Sequence, residues 1–263
     1  MNVTPAQTTL MARSEDRHGP QLRCYLLEAR YEFMRLLRTP SFALPVLCFP
    51  VFFYLLFGVM LSMPGSGPHG ATHMLVTFGV FGIMGPAMFG FGVALATDRE
   101  LGLLRLKRAM PVPPGAVLLA KTLMAMAFGA IITAMLMTAA TVAAGVRLEA
   151  QQLALLAVIN ILGVLPFCAL GLWLGTLVGS QGAVAVVNLL YMAMAFLGGL
   201  LMPLSVLPES VARLAPVWPS YHLSQIALKV IDADLGQPLW LHVGVLLACT
   251  AVFLFLARRR LGG

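Results

Sequence analysis

Six apolar runs, each near or above the roughly 20 residues that a helix needs to cross the hydrocarbon layer of a bilayer, decide what this chain can fold into. They fall at 41–62, 73–96, 117–145, 152–177, 182–202 and 239–257. Of the 263 residues, 60% are hydrophobic and 10% charged, against about 25% charged in an ordinary soluble domain. A soluble fold could not bury that much apolar surface. The expectation is an all-α integral membrane protein with six transmembrane helices. The third and fourth runs are long enough to tilt or to extend beyond the bilayer. Pro45 and Pro50 in the first run and Pro86 in the second are tolerated where neighbouring helices satisfy the freed backbone groups.

The charges lie between the runs, and their distribution sets an orientation. Six of the 17 Lys and Arg precede the first run (Arg13, Arg17, Arg23, Arg30, Arg35, Arg38). Five flank the gap between the second and third (Arg99, Arg105, Lys107, Arg108, Lys121), and three close the chain (Arg258, Arg259, Arg260). Only Arg147, Arg213 and Lys229 fall on the other side. The positive-inside rule therefore predicts a cytosolic central loop and two cytosolic termini. A pI near 9.7 and a net charge of +7 do not argue for nucleic acid here, because the positive charges flank membrane and no aromatic-basic surface is available to read bases.

Residues 1–20 are polar, with no apolar core and no small-residue cleavage site, and read as a cytosolic tail rather than a signal peptide. Residues 21–38 read as an amphipathic interface helix. Leu22, Leu26, Ala29, Phe33, Leu36 and Leu37 form one stripe at helical spacing, with Glu28, Glu32 and four arginines off it. Residues 97–116 form the one long charged stretch between the ends. It is expected to start a short helix at Asp98 that Pro111, Pro113 and Pro114 bring to an end. Such a stretch either docks on a soluble partner or is a solvated loop whose charges fix orientation. Lys121, where the third run leaves the cytosol, is expected to snorkel to the headgroups. Residues 203–238, divided by Pro203, Pro208, Pro216 and Pro219, are expected to form short helices dipping into the outer leaflet, with Trp218 and Tyr221 in the interfacial belt. Residues 258–263 make a cytosolic C-terminus.

The stretch RELGLLRLKRAMPVPPGAVLLAK, residues 99–121, resembles the cytosolic loop of ABC transporter type-2 permeases. An acidic-basic-acidic opening, a Gly-Leu-Leu-type turn, a later proline and a closing lysine recur there in that order. The resemblance extends over the chain after about residue 20. It implies the transmembrane subunit of an ATP-driven exporter in the plasma membrane of a bacterium (the inner membrane). Two permeases, here a homodimer, would pair with two ATP-binding cassette subunits. This chain would carry no cofactor, and ATP and magnesium would bind on the partner. The loop would be a coupling helix in a groove of the ATPase, with Asp98, Arg99, Glu100, Leu101, Gly102, Leu103 and Arg105 as contacts, and Glu28 and Arg35 of the preceding helix bracing the same partner. The cargo would be amphipathic, drug-like or lipid-linked, moved outward from the cytosol or inner leaflet. Two alternatives stand beside this reading: a permease for lipid-linked polysaccharide, and a non-transporting membrane anchor that recruits a soluble ATPase.

The remaining signals bear on pathway and packing. Asn160 and Asn188 are polar groups inside apolar runs, placed either to hydrogen-bond a neighbouring helix or to line a pathway. Gly171, Gly175 and Gly179 repeat at four-residue spacing, which permits close helix approach within one chain or between two. GAVLLAKT at 115–122 has Ala120 in place of the second glycine of a phosphate-binding loop, and no strand precedes it. Four cysteines and five histidines are scattered with neither disulfide nor metal spacing. No catalytic residue and no metal site is expected. No Asp, Glu, Lys or Arg lies mid-run, which disfavours an ion-coupled carrier.

Overall fold

The computed structural model describes residues 18–60, 67–103 and 116–261. The side chains of 18–25, 67, 68, 116, 205 and 261 fall outside the description. Among the described residues helices make up the regular structure, with no strand, and six are long and apolar enough to cross a membrane. Helix α1 (His18–Leu37) is followed by α2 (Pro40–Phe53), which continues as a π-helical segment, Tyr54–Met60, to make the first span. The second span is α3 (Gly67–Met88), a π-helical turn (Phe89–Val93) and α4 (Ala94–Glu100) in one rod. The third is α5 (Ala116–Ala143), the fourth α6 (Ala150–Leu177) and the fifth α7 (Ser180–Leu197). Two short helices, α8 (Glu209–Ala212) and α9 (Pro219–Leu228), precede the sixth span, α10 (Leu239–Leu261).

Local chemistry explains the breaks. Thr39 precedes Pro40, which occupies the first helical turn of α2, where its missing amide costs nothing. At the start of α6, Glu149 and Gln152 form a reciprocal capping box. The second span ends where Gly102 takes a left-handed backbone, φ +70°, a conformation that glycine adopts without the Cβ penalty other residues pay.

The second span is the axis of the bundle. Phe78, Val80, Phe81, Ile83, Met84, Ala87 and Met88 are all fully enclosed, and α1, α2, α5, α6, α7 and α9 each pack against some part of this rod or its neighbours. An aromatic series ties it to the first and fifth spans. Phe57 stacks on Phe78 at 6.3 Å, Phe53 meets Phe81 at 6.3 Å, and Phe81 meets Tyr191 at 4.9 Å. Tyr191 Oη then donates to the Phe81 carbonyl at 3.2 Å.

The spaced glycines of α6 form the seam with the second span. A Cβ at Gly171 would lie 2.9 Å from the Met88 carbonyl oxygen, and one at Gly175 would lie 2.6 Å from the Gly92 carbonyl oxygen. These are backbone atoms and cannot swing aside, so the contact within one chain requires glycine. The π-helical turn supplies Gly92 at this crossing.

Three expectations differ from the fold. Asp98, Arg99 and Glu100 are the last turn of the second span rather than the start of a separate helix, because Ala94–Thr97 carries the helix forward without a breaker. Glu32, set off the apolar stripe of α1, is buried, since the face that meets α5 runs through Ala29, Glu32, Phe33 and Leu36. Leu26 and Leu37, on the expected stripe, are exposed. Tyr221 is buried against His222 and His242 rather than in an interfacial belt.

Gly175→Ala is expected to destabilise the purified protein by about 1–3 kcal/mol, as overpacking does, read as a lower thermal midpoint. Gly244→Ala, where a Cβ meets nothing within 4 Å, is expected to leave the midpoint unchanged or raise it.

Candidate functional site

The charged end of the bundle is built around a cation with no route to solvent. Lys121, one turn into α5, is 1% exposed. A lone ammonium in an apolar interior would be expelled or neutralised, and two carboxylates from different elements hold it. Glu32 of α1 accepts a hydrogen bond from Lys121 Nζ, and Asp98 Oδ2 of α4 lies 3.3 Å from the same nitrogen. Arg35 closes the group from the half-exposed side, with Nη1 at 3.5 Å from Asp98 Oδ1 and Nη2 at 3.4 Å from Glu32 Oε1. Two cations and two anions cancel, so the set is neutral although three of its members are buried. Lys121 therefore does not snorkel, as its position in the sequence suggested; it pins α1 and the end of the second span to the third.

The next two residues fasten the same rod to the break between α6 and α7. Arg99 Nη1 donates to the Gly175 carbonyl at 2.8 Å, in the last turn of α6, where carbonyls lack intrahelical donors. Glu100 accepts from the Ser180 backbone amide at 2.8 Å and from the Ser180 hydroxyl, capping the first turn of α7. A cation thus sits at a helix C-terminus and an anion at a helix N-terminus, both favourable to the helix dipoles. Gly179 leaves room for this contact, because a Cβ there would collide with Glu100 Oε1.

The residues singled out in the sequence separate accordingly. Asp98, Arg99 and Glu100 spend their charges on partners within the chain. Leu101 is exposed and Gly102 and Leu103 are half-buried at the tip that follows. Arg105 lies outside the described residues. Glu28 and Arg35 are half-exposed on α1. Asn160 is buried and donates to Thr133 Oγ1 of α5 at 3.2 Å; its Oδ1 is buried without a partner among the described residues, and the residue lines a small void with Leu75, Gly79 and Leu156. Asn188 is exposed on α7. Gly171 and Gly175 hold the seam between the second and fourth spans, and Gly179 the turn that Glu100 grips. Sequence reasoning missed Glu32 and Ser180. Lys121 held the available clue, since a lysine one turn inside an apolar run requires either a headgroup or a buried anion.

At the opposite end, α9 packs into the bundle, and a cavity of about 120 Å³ lies beside it, lined by His73, Ser224, Gln225, Leu228 and the Gly198–Leu204 turn. Among the described residues no cluster of three or more His, Cys, Asp or Glu is placed to hold a metal.

The sequence profile of the ABC-2 type transporter family matches residues 25–231. The chain belongs to this family. It is 27% identical over 229 residues to "Putative transport permease YvfS" of Bacillus subtilis (strain 168), an alignment that covers 86% of this chain and 92% of that protein. The chain is thus a multi-pass ABC-2 permease, a transport subunit rather than an enzyme, and membership implies pairing with an ATP-binding subunit.

Lys121→Met leaves two buried carboxylates facing each other, and removal of one partner from a buried set costs about 3–5 kcal/mol. Its thermal midpoint is expected to fall well below that of Glu32→Gln, in which Lys121 keeps Asp98. Equal, small losses for the two variants would contradict the assignment of Lys121 as the shared cation.

Proposed function

We propose that this permease is the membrane subunit of an ATP-driven exporter. Two copies pair with two separate ATP-binding cassette subunits, on which ATP and magnesium bind. The chain sits in the plasma membrane (the inner membrane of a bacterium) with both termini and the charged end of the bundle in the cytosol; the excess of Lys and Arg at that end supports this orientation. The cargo is an amphipathic, drug-like or lipid-linked molecule taken from the cytosol or inner leaflet and released outward.

One observation carries this reading: the most buried span of the bundle ends in an exposed tip, and its last turn is fastened to four other elements. Force applied at Leu101–Leu103 is delivered to α1, α5, α6 and α7 together. The proposed ATPase contact is therefore this tip with Arg105, flanked by Glu28 and Arg35. Asp98, Arg99 and Glu100 serve the contact by holding the tip in place. Asn188 supports the homodimer. An exposed amide within an apolar span is costly against hydrocarbon, so its face of α7 suits a second permease copy or a shared pathway.

Leu101→Asp is expected to leave membrane insertion intact and to weaken binding of the ATP-binding subunit at least about tenfold, equivalent to about 1.4 kcal/mol. The measurement is ATPase co-purification and cargo efflux in reconstituted vesicles, with Lys107→Ala as the control. Gly102 is a poorer probe, because any side chain there meets the strain of its positive φ before it meets a partner. Normal efflux by Leu101→Asp at normal membrane level would remove the tip from the contact.

A further inference from the structure

Two histidines meet at the end of the bundle away from the charged tip. His222 of α9 and His242 of α10 are 2% and 0% exposed, and their Nδ1 atoms stand 2.9 Å apart. His222 Nε2 lies 2.8 Å from the Pro216 carbonyl oxygen. A carbonyl only accepts, so that nitrogen carries a proton. One further proton must lie between the two Nδ1 atoms, since two bare lone pairs or two N–H groups would repel at that distance. The count leaves His242 Nε2, which is buried and without a hydrogen-bond partner among the described residues. With two protons the pair is neutral and this nitrogen is a bare lone pair. A third proton would make it a charged donor with no acceptor in an enclosed site, which is far more costly.

We propose that the His222–His242 pair is a proton-operated latch that holds α9 against the sixth span, closing when the pair is neutral and opening when it takes up a proton. The extra proton is accommodated only if His242 Nε2 reaches water, which requires α9 to part from α10. The open state binds more protons, so acid favours it and neutral pH favours closure. The consequence reaches the cavity described above, because Ser224, Gln225 and Leu228 of α9 form one of its walls. Parting of α9 would widen that cavity.

Other ionisable groups lie on α9, on the segment that follows it (Asp232 among them) and on neighbouring elements. Tyr221 lies beside both rings, and Lys229 pairs with Asp234 just beyond α9. His69 and His73 stand on α3, Arg147 and Glu149 precede α6, Tyr191 is on α7, and Glu209 pairs with Arg213 on α8. The Lys229 ammonium holds the Asp234 carboxyl below its ordinary value, so Asp234 keeps its charge where an imidazole titrates. His69 and His73 are also imidazoles, so the experiment must resolve the His222–His242 signals from theirs.

The test is hydrogen–deuterium exchange of residues 219–231 in the full-length permease in lipid nanodiscs, corrected for the intrinsic pH dependence. It runs from about pH 8 to about pH 5, the range in which imidazoles change charge. Wild type is expected to lose protection at least about tenfold, the factor that accompanies a one-unit pKa difference. His242→Gln keeps a donor for His222 Nδ1 but cannot titrate, and is expected to stay protected throughout. A ¹⁵N-histidine spectrum of the wild type decides independently of the variant's folding. The Nδ1···Nδ1 bond is expected at about pH 8 and should vanish with the same midpoint as protection. A flat wild-type profile, the same step in His242→Gln, or a histidine bond that survives the step would each overturn the latch.

Discussion

A single buried ammonium organises the charged end of this permease. Lys121 cannot sit alone in an apolar interior, and the two carboxylates that neutralise it come from α1 and from the last turn of the second span. Buried ion pairs contribute little net stability against a hydrophobic alternative, but removing one partner of a buried pair is strongly destabilising. The consequence here is positional: α1, α4 and α5 meet where all three charges are satisfied. Arg99 and Glu100 extend that placement to α6 and α7 through the helix termini at the Val178–Gly179 break.

Backbone proximity serves the same arrangement. Gly92, Gly171 and Gly175 bring the second and fourth spans close enough for carbonyl oxygens to face Cα atoms. That closeness is what allows Arg99 to reach the Gly175 carbonyl. Glycine seam, helix caps and ion set are therefore one construction rather than three independent contacts, and the exposed tip at Leu101 is its outermost part.

The six spans were legible because water and lipid sort charge from apolar sequence in a way that needs no tertiary knowledge. Their faces were not legible. Protein interior and lipid are equally apolar, so the spans that pack most deeply show almost no polarity around the helix, and the enclosure of Phe78–Met88 leaves no mark in the sequence. The site was half legible for a related reason. The charged stretch after Thr97 stood out, but its side chains are committed to residues some 80 positions away, Glu100 to Ser180 and Arg99 to Gly175. Glu32 reads as part of the polar face of α1 because spacing alone cannot see that the helix turns this residue toward Lys121.

In the proposed homodimer, the charged end of each copy moves as one body. Spin labels at Arg30 on α1 and Gln181 on α7, both exposed, report it through pulsed dipolar distances in the permease bound to its ATPase, with and without trapped nucleotide. The Arg30–Gln181 distance within one copy should stay the same in both states, while the Gln181–Gln181 distance between copies changes. A within-copy distance that shifts as far as the between-copy distance would contradict it.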